Sequence, residues 1–348
     1  MRLLSAFFAL LSLSIGNMFA GPNGKLTFLG GVTDSAVNQW PDTVFTGLGI
    51  WNQASFIYSD NAWAVMTGPT SYNWTNFDAH YSWTRANHLK ELWYTGFAAA
   101  VSGSWPANLG DSQAQFVNDF KTFLSLAAAR APNIEYINYC NEGLLHSDAS
   151  GWMQQAFGGA GYTGYDWIIN IGKAVRQYFP KAKIGINDFE FESAGNDLAY
   201  GNYGGDPTQL STILPILSIL KNAGVLDWVG MEGYSMETSS NANILGALNA
   251  VGAYAPVIYT EFSPYANAGP SIPDSTVAAA WANLLPLIAG NQYSLGITGP
   301  WGYLWSNTQN GGIGGSQWIL DNRNNPSSAT ATIRWLQANA AQYVGAGP

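Results

Sequence analysis

Residues Tyr136–His146 read YINYCNEGLLH. A run of strand-forming residues from Tyr136 to Cys140 leads directly into Asn141 and Glu142, so an apolar segment ends by presenting an amide beside a carboxyl. That is the pattern expected where parallel strands deliver their polar residues from C-terminal ends, as in α/β barrels. Similar short runs recur: LTFLGGV, AKIGIN, LDWVGM, APVIYT and LGITGPWGY. Between them lie segments of helical period. From Ser112, with Gln115 completing a capping box, Phe116, Phe120, Phe123, Leu124 and Ala127 fall on one helical face. A second helix carries Ile168, Ile171, Val175 and Phe179 and stops at Pro180; a third, around Ile213–Leu220, ends at Gly224. Strand and helix in alternation imply parallel strands with crossover helices. At this length a single-domain (β/α)8 barrel over residues 21–348 is expected.

The chain has 348 residues and begins MRLLSAFFALLSLSIGNMFAGP, where one early Arg, an apolar run and small residues near Ala20 predict a secretory signal peptide over residues 1–20. The expected location is extracellular. Cys140 is the single cysteine, which leaves no internal disulfide and predicts a buried, inert thiol. Only 10% of residues are charged, the net charge is −9, and the 13 Lys plus Arg form no basic cluster. Nucleic acid and anionic membranes are therefore not expected partners. With 15 Trp, 18 Tyr and 16 Phe, the composition suits a cleft that stacks rings on a neutral, polyhydroxylated ligand. Asn73, in NWT, matches the glycosylation acceptor pattern.

Along YINYCNE, strand alternation would put Cys140 and Glu142 on one face and Asn141 on the other. APVIYTEFS ends in the same manner at Glu261, with Val257 and Tyr259 expected on its face. Two strands thus each carry a glutamate to one rim. Facing carboxyls are the minimal machinery of glycoside hydrolysis: one protonates the leaving oxygen, and the other attacks the anomeric carbon or activates water. Competing carboxyls are Asp188, Glu190, Glu192, Glu232 and Glu237, of which Glu232, on the strand before Glu261, is the strongest rival.

These motifs resemble glycoside hydrolase family 10, the retaining endo-β-1,4-xylanases, which are (β/α)8 barrels. NYCNEG is similar to the family's strand-four motif, so the resemblance implies Glu142 as acid/base beside Asn141. VIYTEFS is similar to the nucleophile strand, implying Glu261 as nucleophile. KIGINDFEFE, with Asn187, resembles another family segment, FLGGVTDS the first strand, and LGITGPWGYLW the last, with Trp301 and Trp305 near the glycone site. The chain departs from the family pattern at three places. Glu232 and Tyr234 replace Gln-x-His on strand six, Tyr94 in LWYTGF stands where a His is expected, and NAWA keeps Asn61 but has Ala64 in place of a Lys. Tyr234 can donate a hydrogen bond to a carboxylate as His does. Glu232, if close to Glu261, would raise a pKa by repulsion. For stacking, Trp93 and Trp105 join Trp301 and Trp305.

The expected function is a secreted, retaining endoglycosidase, most simply a β-1,4-xylanase, acting as a monomer on a polysaccharide without cofactor or metal. Alternatives are an endoglycanase cutting β-glucan, mannan or galactan, or a carbohydrate-binding protein without turnover. A nicotinamide oxidoreductase would use GAGYTG at Gly159–Gly164, but no strand precedes it. A metal hydrolase would need ligand spacing that His80, His88 and His146 lack.

Overall fold

The computed structural model describes residues 24–32, 42–56, 59–95, 112–144, 151–195, 208–265, 272–299 and 330–345. The predicted signal peptide, His146, Trp105, Trp301 and Trp305 lie outside them.

Eight strands close a parallel barrel. They are β1 (Phe28–Val32), β2 (Gln53–Phe56), β5 (Lys90–Tyr94), β6 (Tyr136–Asn141), β7 (Lys183–Asp188), β8 (Trp228–Met231), β9 (Val257–Tyr259) and β10 (Ser294–Thr298). They pair in chain order, and β10 closes on β1. A two-stranded sheet, β3 (Met66–Gly68) with β4 (Ser71–Tyr72), stands outside the barrel. The (β/α)8 fold expected from the alternation is therefore present. Among the described residues no helix is long and apolar enough to cross a membrane.

The anticipated helices form for the anticipated reasons. Ser112 caps the helix Gln113–Arg130 by accepting from the Gln115 amide at 3.2 Å, and its five predicted apolar residues are buried. Asp166–Tyr178 buries Ile168, Ile171 and Val175 and stops before Pro180. Thr208–Asn222 is followed by Gly224 at φ +72°, a left-handed position that suits a residue without Cβ.

Strand alternation divides the apolar side chains into two layers. Phe28, Leu92, Tyr94, Tyr136, Trp228, Ile258 and Leu295 fill the barrel interior, while Trp93, Ile137, Ile184, Val229, Val257 and Tyr259 belong to the larger core between strands and helices. A Cβ on neighbouring Gly185 would fall 2.3 Å from the Trp228 carbonyl oxygen and 2.4 Å from its ring, so glycine is required there. Trp93 is fully buried, with ring centroids of Phe77, Phe123 and Phe179 at 5.4, 5.9 and 5.6 Å. The expectation that Trp93 stacks on substrate is corrected: on β5 it is Tyr94 that faces inward, and Trp93 packs outward against helices.

Cys140 is 2% exposed, and burial pushes its thiol well above the usual range, as expected of an inert cysteine. GAGYTG lies between two helices, Trp152–Ala156 and Asp166–Tyr178, with Gly159, Gly161 and Gly164 at positive φ. Without a preceding strand it is not a dinucleotide turn.

Candidate active site

At the C-terminal end of the barrel, strands β6, β8 and β9 are followed within two residues by Glu142, Glu232 and Glu261, and one carboxylate oxygen of each lies within 4.8 Å of the other two. Glu232 and Glu261 are 3% and 5% exposed, while Glu142 is half-buried at the mouth.

The convergence does not follow simple strand parity. In β6 the register with β7 shifts between Asn138 and Cys140, so Tyr139 is the extra residue of a β-bulge. The bulge sends Tyr139 and Cys140 into the helix-side core and turns Asn141 toward Asn187. Glu142 then leaves extended geometry with φ +52°, its amide still donating to the Asn187 carbonyl at 2.7 Å. The expected shared face of Cys140 and Glu142 is thus corrected: Cys140 packs outward, and both Asn141 and Glu142 reach the mouth. Likewise Val257 and Tyr259 belong to the outer core, and Glu261 enters the site from two residues beyond the end of β9.

Left-handed non-glycine residues follow four successive strands: Glu142 after β6, Glu190 after β7, Ser235 after β8 and Tyr265 after β9, with φ of 52°, 64°, 51° and 61°. Each such position costs on the order of 1–3 kcal/mol and persists where surrounding contacts enforce it. Those contacts are visible. Asp188 accepts from the Leu144 amide at 2.8 Å and fixes the turn after Glu142. Glu192, fully buried and pushed by burial up to about 7, accepts from the Gly233 amide at 3.0 Å beside Glu232. Glu237 accepts from the Tyr265 amide at 2.9 Å. Three of the competing carboxyls therefore brace loops.

Asn187 is the hub. Its Nδ2 donates to Asn141 Oδ1 at 2.7 Å, Glu261 Oε1 at 3.1 Å and Glu232 Oε1 at 3.3 Å, while its Oδ1 accepts from the Thr260 hydroxyl. Tyr234 donates its phenol to Glu261 Oε2, the contact expected of the residue replacing histidine. Tyr94, 3% exposed, crosses the mouth to donate to the Thr260 carbonyl at 3.3 Å. Asn61 is 5% exposed at the start of the helix Ala62–Val65, adjacent to Thr95, which follows β5. Asn138 and Thr260 were not anticipated. Asn138 donates to Asn141 Oδ1 at 3.0 Å across the bulge, and the spacing of two asparagines around YC was the available signal.

Burial, then the Glu142 charge, push Glu261 up to about 8, against the downward pull of Tyr234 and Asn187. Burial, then the charges of Glu261 and Glu142, push Glu232 well above the carboxylate range. Glu232 and Glu261 share one buried pocket, so the rise reflects the cost of placing a second negative charge beside the first. The first charge belongs where donors converge, on Glu261. Burial also raises the phenols of Tyr94 and Tyr234, so both remain hydrogen donors. His80 is buried, stacked on Phe56 at 3.9 Å, and His88 is exposed; among the described residues neither belongs to a group that could hold a metal ion.

The model of glycosyl hydrolase family 10 matches residues 57–333. This chain belongs to glycosyl hydrolase family 10. Among curated proteins it is 24% identical over 326 residues to endo-1,4-beta-xylanase B of Cellvibrio japonicus (strain Ueda107); the match takes in 90% of this chain and 45% of that protein, so the chain spans less than half the relative's length. Solved structures of the same fold include a family 10 protein from Paenibacillus barcinonensis (TM-score 0.70, 17% identity, 92% of this chain and 96% of that one). The intracellular xylanase from Thermoanaerobacterium saccharolyticum is similar to the same degree (TM-score 0.70, 16% identity, 90% and 96% covered). Family membership agrees with the resemblance drawn from NYCNEG and VIYTEFS.

Proposed function

We propose that the protein is a secreted, retaining endoglycosidase that cleaves β-1,4-xylan as a monomer, with Glu142 as acid/base and Glu261 as nucleophile. The observation carrying this reading is that Glu142 and Glu261, delivered by separate strands, have carboxylate oxygens within 4.8 Å of each other. Retaining enzymes hold their two carboxyl groups about 5–5.5 Å apart, whereas inverting ones need roughly 6.5–9.5 Å to admit a water. Export is supported by the apolar run from Leu3 to Ile15. Xylan is the substrate of the curated relative by name.

In the first step the Glu261 carboxylate attacks the anomeric carbon while Glu142 gives its proton to the departing glycosidic oxygen. In the second, water attacks that carbon, its proton passes to Glu142, and the ester bond to Glu261 breaks. Tyr234 and Asn187 aim Glu261 and hold its charge between turnovers. With Oδ1 engaged by Asn138 and Asn187, Asn141 has its NH2 group to offer the sugar 2-hydroxyl, a contact that strengthens in the transition state. Asn61 and Tyr94 are assigned to the glycone side; Trp301 and Trp305 are the proposed stacking rings. No cofactor enters this chemistry.

The test is incubation with xylan, β-glucan, mannan and galactan, with early products resolved by anomer. Xylan oligosaccharides released first as the β-anomer are expected. Release from another glycan alone would reassign the substrate, first release of the α-anomer would remove the retaining mechanism, and binding without release would leave a carbohydrate-binding barrel.

A further inference from the structure

Glu232 has no role in the two-step reaction above, yet it is buried at the reacting centre. Its surroundings limit what state it can hold. The Asn187 NH2 group has two hydrogens and three acceptors within reach; Asn141 and Glu261 take the shorter contacts, and Glu232, at 3.3 Å, takes the longest. Among the described residues, the titratable groups facing Glu232 are Glu261 after β9, Glu142 after β6, Glu192 from the segment after β7, Tyr94 from β5 and Tyr234 two residues further along its own loop. None of these is a cation. Glu232 and Glu142 bring carboxylate oxygens within 4.8 Å of each other, a proximity that favours a protonated Glu232. A neutral carboxyl is a donor, and a charged one would be a second or third anion in the same dry pocket.

We propose that Glu232 is a positioning carboxyl that stays protonated throughout turnover and donates its hydrogen to Glu142. The proposal rests on the roles given above to Glu142 and Glu261. In the resting enzyme Glu232 and Glu142 each hold a proton, and Glu261 carries the single charge. When Glu142 releases its proton to the leaving oxygen, Glu261 becomes a neutral ester and the single charge moves to Glu142, which accepts from Glu232. When water returns a proton to Glu142, the charge goes back to Glu261. Glu232 neither gains nor loses a proton. It makes Glu142 a stronger acid in the first step and supports its anion in the second.

The experiment compares the wild type with Glu232→Gln and Glu232→Ala in two readouts. An amide is a weaker donor than a carboxylic acid and a methyl group is none, so Glu142 should keep its proton to higher pH in that order. The alkaline limb of kcat/KM is expected to rise by about half to one pH unit in Glu232→Gln and further in Glu232→Ala, with kcat of the glutamine variant about tenfold above that of the alanine variant. The second readout needs no turnover. A carboxyl whose folded pKa is raised binds more protons folded than unfolded above about pH 4.3, so stability falls as pH climbs toward the raised value. The wild-type melting temperature should therefore drop between pH 5 and 9 by at least about 3 °C more than that of Glu232→Gln. Parallel melting curves, an unmoved alkaline limb, or equal activity of the two variants would each overturn the proposal. If wild type cleaved no glycan, the proposed function would fall, and the melting comparison alone would decide the protonation of Glu232.

Discussion

The two ends of the barrel treat their acidic residues in opposite ways. Where strands begin, Glu135, just before β6, receives the Arg85 guanidinium at 2.6 and 3.0 Å and the Glu91 amide at 2.9 Å. Asp227, just before β8, lies 2.7 Å from Arg176 and accepts from the Ile184 amide at 2.9 Å. Where strands end, Glu142, Glu232 and Glu261 face one another, and the side chains donating to Glu261 are neutral. Carboxylates are neutralised at one end and crowded at the other. An arrangement that costs stability, set among four left-handed backbone positions, serves reactivity, while the paired end serves the fold.

Substitutions should separate the two ends sharply. Glu261→Ala is expected to have the largest effect, lowering kcat by at least about 10⁴-fold with the melting temperature at neutral pH unchanged or higher. Retained turnover would break the comparison. Glu142→Ala should lose about 10²–10⁴-fold on natural linkages and much less on activated aryl glycosides, whose leaving groups need no proton. Equal losses on both would remove the acid role. Tyr234→Phe deletes one hydrogen bond to a charged group and should cost about 10- to 100-fold in kcat/KM. At the other end, Glu135→Gln should leave kcat/KM within about threefold and lower stability in urea by about 1 kcal/mol, a modest figure because both partners are about one-third exposed.

A buried carboxyl away from the mouth sharpens the contrast. Glu91, 1% exposed on β5, is pushed up to about 8 by burial first and Asp60 second, and Thr84 donates to it at 3.0 Å. Its raised pKa means stability is lost as pH rises from about 4.3 toward 8. Glu91→Gln should therefore flatten the fall in melting temperature over that range while leaving the pH profile of kcat/KM in place. A shifted activity profile would show that Glu91 acts on the site.

The barrel was legible because its six clearest strands carry β-branched and aromatic runs, and its helices carry caps and apolar faces that need no tertiary context. Strand β2, QASF, has no such run, and β5, KELWY, was visible only as part of a family-like segment. Glu142 and Glu261 were legible as strand-end glutamates. Their orientation was not, because period-two alternation fails where a bulge adds Tyr139 and where Glu142 turns left-handed. Trp93 was misread because ring type was given more weight than its position between the inward-facing Leu92 and Tyr94. The hub role of Asn187 depends on contacts among three strands and has no signature in any one of them.

Covalent trapping tests Glu261 as the nucleophile most directly. A 2-deoxy-2-fluoro-β-xylobioside with an activated leaving group would accumulate the glycosyl enzyme, and peptide mapping by mass spectrometry would locate the label. One fluorosugar on Glu261 is expected. Labelling of Glu232 or Glu142 instead, or rapid turnover with inversion and no adduct, would contradict it.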